Sequence, residues 1–242
     1  VSGARDAVVV GGGPVGLAAG IALSRAGLSV TVLDGRRPPL DKACGEGLMP
    51  LALAALAELG VDLAGVGRPF PGIRHVADGF AAEADFPSGG LGRGVRRTAL
   101  HAALVARADA SGVELRWGEP ALALSAAGVA TGAGELAARL VVGADGLRSK
   151  VRQWARLARP ERGAPRFGVR RHLRLPGASE RVEVVFGARA EAYITPVGAE
   201  EIGVALLWEG AARGFDELLA TRFPRALAAR FAAAEATSRD RG

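Results

Sequence analysis

An α/β first half and an antiparallel-sheet second half, α+β overall, are what the 242-residue sequence predicts, and three observations predict them. The β-branched run "AVVV" at 7–10 stops at three glycines, as a buried parallel strand does. A helix-forming stretch at 14–26 ends at Gly27, where a C-terminal cap is expected, and "LSVTVLD" at 28–34 alternates into a second strand ending in an acid. Beyond residue 160 the pattern changes to segments that alternate at period two with turn residues between them. Strand, glycine turn, helix and strand within about thirty residues form a Rossmann-like unit.

The remaining elements follow in order. Residues 35–47 read as a loop containing Pro38 and Pro39, and an Ala/Leu helix follows at 49–59. From 72 to 95 the chain is Gly-rich and broken, with short β-like pieces such as "FAAEADF". Residues 97–110 read as an amphipathic helix, "VELRWG" (113–118) as a strand, and 121–138 as a β-meander. "RLVVGADG" (139–146) reads as a buried strand ending in a polar turn. Residues 166–175, 180–187, 190–198 and 200–208 are expected to form an antiparallel sheet, commonly with one face on a core and one in water. The stretch 211–236 is expected to be helical.

Composition excludes several function classes. No apolar run reaches the roughly 18 residues of a membrane span. Residues 8–23 come closest, but glycines and Pro14 interrupt them and no cationic leader or cleavage site fits, so a cytoplasmic location is expected. The net charge of +6 is nearly all scattered arginine, Lys42 and Lys150 being the two lysines, and no nucleic-acid-binding face is expected. The single cysteine, Cys44, excludes an intramolecular disulfide and a multi-thiolate zinc site. His75, His101 and His172 lack metal-ligand spacing and read as ordinary histidines; no metal is expected.

Chemistry concentrates at the opening glycines. Gly11 permits the tight turn, Gly13 lets the backbone approach a pyrophosphate, and Gly16 lets helix and sheet pack closely. The helix N-terminus offers unpaired N–H groups and the positive end of its dipole. Asp34, 23 residues after Gly11, stands near the expected spacing of about 20 for a carboxylate that accepts ribose hydroxyls. These residues alone leave open which dinucleotide is held. "LVVGADGLRSKVR" (140–152) places Asp145 and Gly146 directly after a buried strand, with Arg148, Ser149 and Arg152 beyond. Gly146 allows close backbone approach, and Asp145 can bond a cofactor hydroxyl or buttress a turn.

That strand ending in Asp-Gly, followed by Ser and Arg, resembles the second fingerprint of the group A flavin monooxygenases, the aromatic hydroxylases. In that family the segment approaches both FAD and the reduced nicotinamide. Arg97, followed by Leu100 and Leu104, resembles the arginine that opens the intervening helix and reaches the flavin nucleotide. The resemblance covers residues 5–155 well and the remainder loosely. It implies FAD as cofactor, NAD(P)H as reductant and a small-molecule substrate. "DKACGEGLMP" (41–50) is similar to the Cys-Gly-x-Gly loop of the geranylgeranyl reductases, flavin enzymes of the same fold that saturate prenyl double bonds. It also loosely resembles a loop of the flavin-dependent halogenases, but their Trp-x-Trp motif is missing: the nearest stretch is "AYITPVG", with Tyr193 and Pro196. The expected cofactor-binding residues are Gly11, Gly13, Pro14, Gly16, Asp34, Gly35, Arg36, Cys44, Gly45, Gly47, Arg97, Asp145 and Gly146. Glu46 is the candidate acid or base, with turn stabilisation as its alternative role; no other catalytic residue is assigned.

The expected organisation is a Rossmann-like FAD-binding domain over 1–70 and 93–160, with its β-meander, and a β-rich substrate domain over 71–92 and 161–242. No Gly-Asp dipeptide, the family's third fingerprint, occurs in the sequence, so the chain is expected to be an incomplete piece of a longer protein. The expected function is an NAD(P)H-consuming, FAD-dependent monooxygenase or hydroxylase acting on a small apolar or aromatic molecule. Two alternatives stand beside it: a flavin reductase of carbon–carbon double bonds, and a nucleotide-binding module without chemistry of its own.

Overall fold

The computed structural model describes residues 4–160, 163–210 and 214–242. In chain order the elements are β1 (Arg5–Val10), α1 (Pro14–Arg25), β2 (Val30–Asp34), β3 (Gly47–Leu48), α2 (Pro50–Glu58), β4 (Arg68–Phe70), β5 (Gly72–Ala77), β6 (Phe80–Asp85), β7 (Gly92–Gly94) and α3 (Arg97–Ala110). There follow β8 (Glu114–Trp117), β9 (Ala121–Leu124), β10 (Gly128–Thr131), β11 (Gly134–Gly143), α4 (Lys150–Trp154), β12 (Arg166–Arg174) and β13 (Val182–Gly187). The last are β14 (Ala190–Pro196), β15 (Glu201–Glu209), α5 (Phe215–Arg222), α6 (Arg225–Phe231) and β16 (Glu235–Ala236).

The chain divides into two compact units. The first comprises Val1–Leu40, Leu56–Asp62 and Thr98–Glu161. Its sheet runs β8-β2-β1-β11-β10-β9, parallel from β8 to β11 and antiparallel through β10 and β9. Ala7, Val8, Val9 and Val10 of β1 are all buried, which is why this strand reads as a continuous apolar run. α1 buries Leu17 and Ile21, and Gly20 lets it press onto β2: a Cβ there would lie 2.8 Å from Val32 Cγ2.

The second unit comprises Asp41–Ala55, Leu63–Arg97 and Arg162–Gly242. It holds a seven-stranded sheet, β16-β12-β15-β14-β13-β5-β6, and a three-stranded one, β3-β7-β4. β5 joins β13 in parallel, Val182 opposite Ile73, while most of the other pairings are antiparallel hairpins. The core packs Val204, Leu206, Ile194 and Trp208 against Phe215, Leu218, Leu219 and Phe231 of α5 and α6.

Three expectations are corrected here. Residues 41–55, 63–70 and 93–97 belong to the second unit, because β3 and β4 both pair with β7, and Gly94 backs onto Pro196 and Thr195 of β14. Those pairings join segments far apart in sequence, which composition cannot reveal. The expected helix at 211–236 is two helices broken at Phe223 and Pro224, a proline having no place inside a helix, and Glu235 and Ala236 pair with β12. Residues 211–213 of that expectation lie outside the described residues. Finally, the polar face of β12 is not in water: Arg170 and His172 are both buried.

Phe215 is 2% exposed, and Arg171 stacks over its ring at 4.3 Å. Replacing Phe215 with Ala is expected to cost about 3–5 kcal/mol, seen as a lower midpoint in denaturant unfolding.

Candidate functional site

The turn from β1 into α1 is built where no side chain fits. Gly11 stands at φ +112°, and a Cβ on it would strike the Ala144 carbonyl and lie 2.8 Å from Asp145 N. A Cβ on Gly16 would overlap the Gly11 carbonyl oxygen and lie 3.3 Å from the Ala144 Cβ. Gly12 is covered by the Trp117 ring, which leaves no room for a methyl group. The pairing of β1 with β11 brings these segments together: Val10 faces Gly143, and Ala144 N donates to Val10 O at 2.8 Å.

Side chains then fix the direction of each peptide. Gly12 N donates to Asp34 Oδ2 at 3.0 Å, and Arg36 N donates to Oδ1 at 2.9 Å, so Asp34 ties the glycine turn to the end of β2. His101, 1% exposed on α3, bonds through Nε2 to the Gly12 carbonyl at 2.8 Å. Because the following peptide is trans, a Gly12 carbonyl held toward His101 directs the Gly13 N–H to the opposite side. α1 has no side-chain cap at Gly13, Pro14 at its start and no acid in its first turn. Its first amides therefore remain available to an anion, with the positive end of the dipole behind them. Gly35 packs on Pro120, where a Cβ would lie 3.1 Å away.

Asp145 closes the same corner. Its carboxylate accepts from the Ser149 hydroxyl, from Lys150 N at 2.7 Å and from Val151 N at 3.2 Å, capping α4. Burial pushes this carboxyl up, but the Ser149 hydroxyl and the helix amides outweigh it and hold it below its ordinary value. Gly146 follows at φ +89°, a conformation suited to glycine.

The other sequence-predicted residues lie in the second unit. Cys44 is half-buried, and its Sγ accepts from Glu46 N at 3.4 Å. The Gly45 carbonyl accepts from Thr195 Oγ1 at 2.6 Å. Gly47 pairs with Gly94 at the end of β3. Glu46 is buried at φ +59°; its Oε1 accepts from Arg97 N at 2.8 Å, and its Oε2 lies 2.7 Å from His172 Nε2. Arg97 keeps a buried Nε with no hydrogen-bond partner among the described residues. An unsatisfied buried guanidinium nitrogen is the kind of donor a polar ligand completes.

Sequence reading missed His101 and Trp117. Trp117 ends β8 directly opposite Asp34 at the end of β2, at the carboxyl edge of a parallel sheet where ligands gather. That placement was the available signal for Trp117. His101 gave none, since its partner is a backbone carbonyl far away in sequence.

Residues 4–173 match the family described as the FAD binding domain. The chain belongs to that family. It is 34% identical over 174 residues to the menaquinone reductase of Mycobacterium tuberculosis, an alignment covering 64% of this chain and 42% of that protein. A menaquinone reductase of Mycolicibacterium smegmatis is 54% identical over 56 residues, 23% of this chain and 14% of that one. The chain thus spans less than half the length of the curated relatives it matches. Its fold is that of a flavoprotein/dehydrogenase from Cytophaga hutchinsonii (TM-score 0.82, 20% identity, 99% of this chain and 66% of that one). It is also that of PqsL, a probable FAD-dependent monooxygenase from Pseudomonas aeruginosa (TM-score 0.76, 20% identity, 98% and 73%). The glycine corner and the uncapped helix start of the first unit fit a bound dinucleotide. Among the described residues no helix is long and apolar enough to cross a membrane.

The lowered value of Asp145 gives a signed prediction. Its carboxylate stabilises the fold fully above the ordinary value of 3.8, and that stability is lost as pH falls through the lower folded value. Asp145→Asn is expected to cost roughly 1 kcal/mol at neutral pH, kept small by solvent screening, with a gap to the parent chain that closes in acid. Thermal unfolding of both chains across pH checks it.

Proposed function

We propose that this chain is the nucleotide-holding and substrate-facing part of an FAD-dependent oxidoreductase, an NAD(P)H-consuming monooxygenase or hydroxylase of a small apolar or aromatic molecule. One observation carries the reading: the glycine turn of β1–α1 and the Asp145 bend meet through backbone, beside a helix start that no side chain caps. In the first unit, the Gly13 and Gly16 amides hold the diphosphate of FAD, Gly11 and Pro14 shape the turn that presents them, and Asp34, Gly35 and Arg36 take the adenosine ribose. Asp145 and Gly146 contact the cofactor from the end of β11. In the second unit, Arg97 reaches the flavin nucleotide through its open Nε, and Cys44, Gly45 and Gly47 border the ring system. FAD, when bound, supplies the electron-transfer chemistry; the chain supplies binding, orientation and exclusion of water. Glu46, with Arg97 N and His172 on its carboxylate, is engaged as a buttress, which favours the turn-stabilising role over acid–base work. In this reading the first unit is the FAD-binding domain and the sheet-rich part of the second is the substrate domain. A cytoplasmic location accords with the use of NAD(P)H and an unpaired Cys44.

A second reading, a flavin reductase in place of an oxygenase, is favoured by a specific observation: a protein named menaquinone reductase aligns at 34% identity over 174 residues; the loop at 41–50 gives the carbon–carbon double bond as the group reduced. In that reading the substrate would carry the alkene that is reduced, and no oxygen would be consumed.

Two experiments test these readings. Titration with FAD is expected to show saturable flavin binding by the chain, abolished by Gly11→Ala. His101→Phe, which keeps a ring beside Trp117 but loses the bond to Gly12, is expected to weaken binding about tenfold. A chain that stays colourless and gives no flavin response overturns the oxidoreductase reading. For the full-length protein, turnover with NAD(P)H is expected to require oxygen and add one oxygen atom to the product. Product formed under strict anaerobiosis overturns oxygenation in favour of reduction.

A further inference from the structure

A buried charged assembly lies wholly in the second unit, and flavin binding gives it no task. The side chains of Arg170 and His172 are each 2% exposed, and that of Glu46 is 1% exposed. His172 Nε2 meets Glu46 Oε2 at 2.7 Å, Arg170 Nη1 lies 3.7 Å from Glu46 Oε1, and Arg170 Nη2 bonds Asp41. Arg241 Nε donates to the other Asp41 oxygen at 3.1 Å, and Ser238 Oγ lies 2.9 Å from His172 Nδ1. A carboxylate can only accept, so Nε2 of His172 carries the hydrogen toward Glu46, while Arg170 Nη1 lies 2.7 Å from Nδ1 and 3.0 Å from Nε2 of the same ring.

Two further facts show what this assembly holds. Glu46 is a non-glycine residue at φ +59°, a backbone conformation disfavoured by its side chain and kept only where surroundings impose it. A glycine at 46 would make the same bend without strain, but nothing would then reach β12. Gly203 is the counterpart on β15: a Cβ there would lie 2.6 Å from Glu46 Oε2 and push the carboxylate away. The strand thus leaves room for this one side chain. Buried ion pairs are a poor source of net stability compared with apolar packing, whereas fixing a unique geometry is a use they serve in some proteins.

We propose that Arg170 and His172 are positioning residues which, through Glu46, latch the turn at 44–47 onto β12 and fix the backbone from Cys44 to Gly47. What this turn borders rests on the function proposed above; the latch itself does not. The Thr195 bond to the Gly45 carbonyl and the bond from Val95 N to the Glu46 carbonyl anchor the turn's main chain, leaving the Glu46 side chain to set its left-handed bend.

Cys44 is the only cysteine in the sequence, so its rate of reaction with dithiodipyridine reads the turn directly, in the whole chain and without flavin. His172→Leu removes the bond to Glu46 and is expected to raise that rate about tenfold or more, the shift in opening that losing a hydrogen bond to a charged group brings. His172→Gln keeps an N–H donor facing Glu46 and is expected to stay within a few-fold of the parent. A His172→Leu rate equal to the parent, or equal acceleration in both variants, overturns the latch. Should His172→Leu fail to fold, Glu46→Gln replaces it, placing an amide donor against either the His172 or the Arg97 N–H. Faster Cys44 reaction then supports the latch and an unchanged rate overturns it. FAD titration of the parent chain separately judges the functional reading, so the two can fail independently.

Discussion

The first unit depends on main chain meeting main chain with nothing between. Gly11 lies against the Ala144 carbonyl, and Gly16 lies against Gly11. A side chain at Gly11 would force β1 off the Ala144 end of β11, and one at Gly16 would push α1 off the turn. That contact makes the corner, and the other features serve it. β1–β11 pairing sets its register, Gly20 lets α1 lie close over β2, and Asp34 and His101 turn the peptide at Gly12 from opposite sides. Recognition built this way uses amides and a helix dipole, so it reads the charge and shape of a ligand more than the identity of its substituents.

The second unit works by the opposite means. Its turn at 44–47 is held by charged and hydroxyl side chains from β12, β14 and the chain's last described residues, converging on Glu46, Gly45 and Asp41. Backbone contact tolerates drift in the surrounding sequence as long as the glycines stay. A side-chain network tolerates little, because removing one partner strands another buried charge.

This contrast explains what was legible in the sequence. The elements around Gly11 were readable because strand, turn, helix and strand follow one another locally, and residues 97–110 form a helix with those bounds. Asp145 stood out because it ends an apolar strand. The unit boundaries were not readable, since β3, β4 and β7 gather from separate segments into one small sheet. The burial of Arg170 and His172 was hidden for a related reason: alternation along β12 marks two faces but does not say what covers the polar one. His101 was hidden because its partner is a distant carbonyl, whereas Trp117 carried a signal in its place at the end of β8.

The edge strand β6 carries a consequence of its own. Every residue of Phe80–Asp85 is exposed, and among the described residues it pairs with β5 alone, so one row of its amides and carbonyls faces outward. Such a row invites strand addition by a neighbouring molecule. Glu83, opposite Arg74, and Asp85, bonded to Arg181, place carboxylates along that rim, while β16 and the following residues through Arg241 bond along the outer edge of β12. The sheet therefore guards itself against self-association by charge at one margin and by a covering stretch of its own chain at the other.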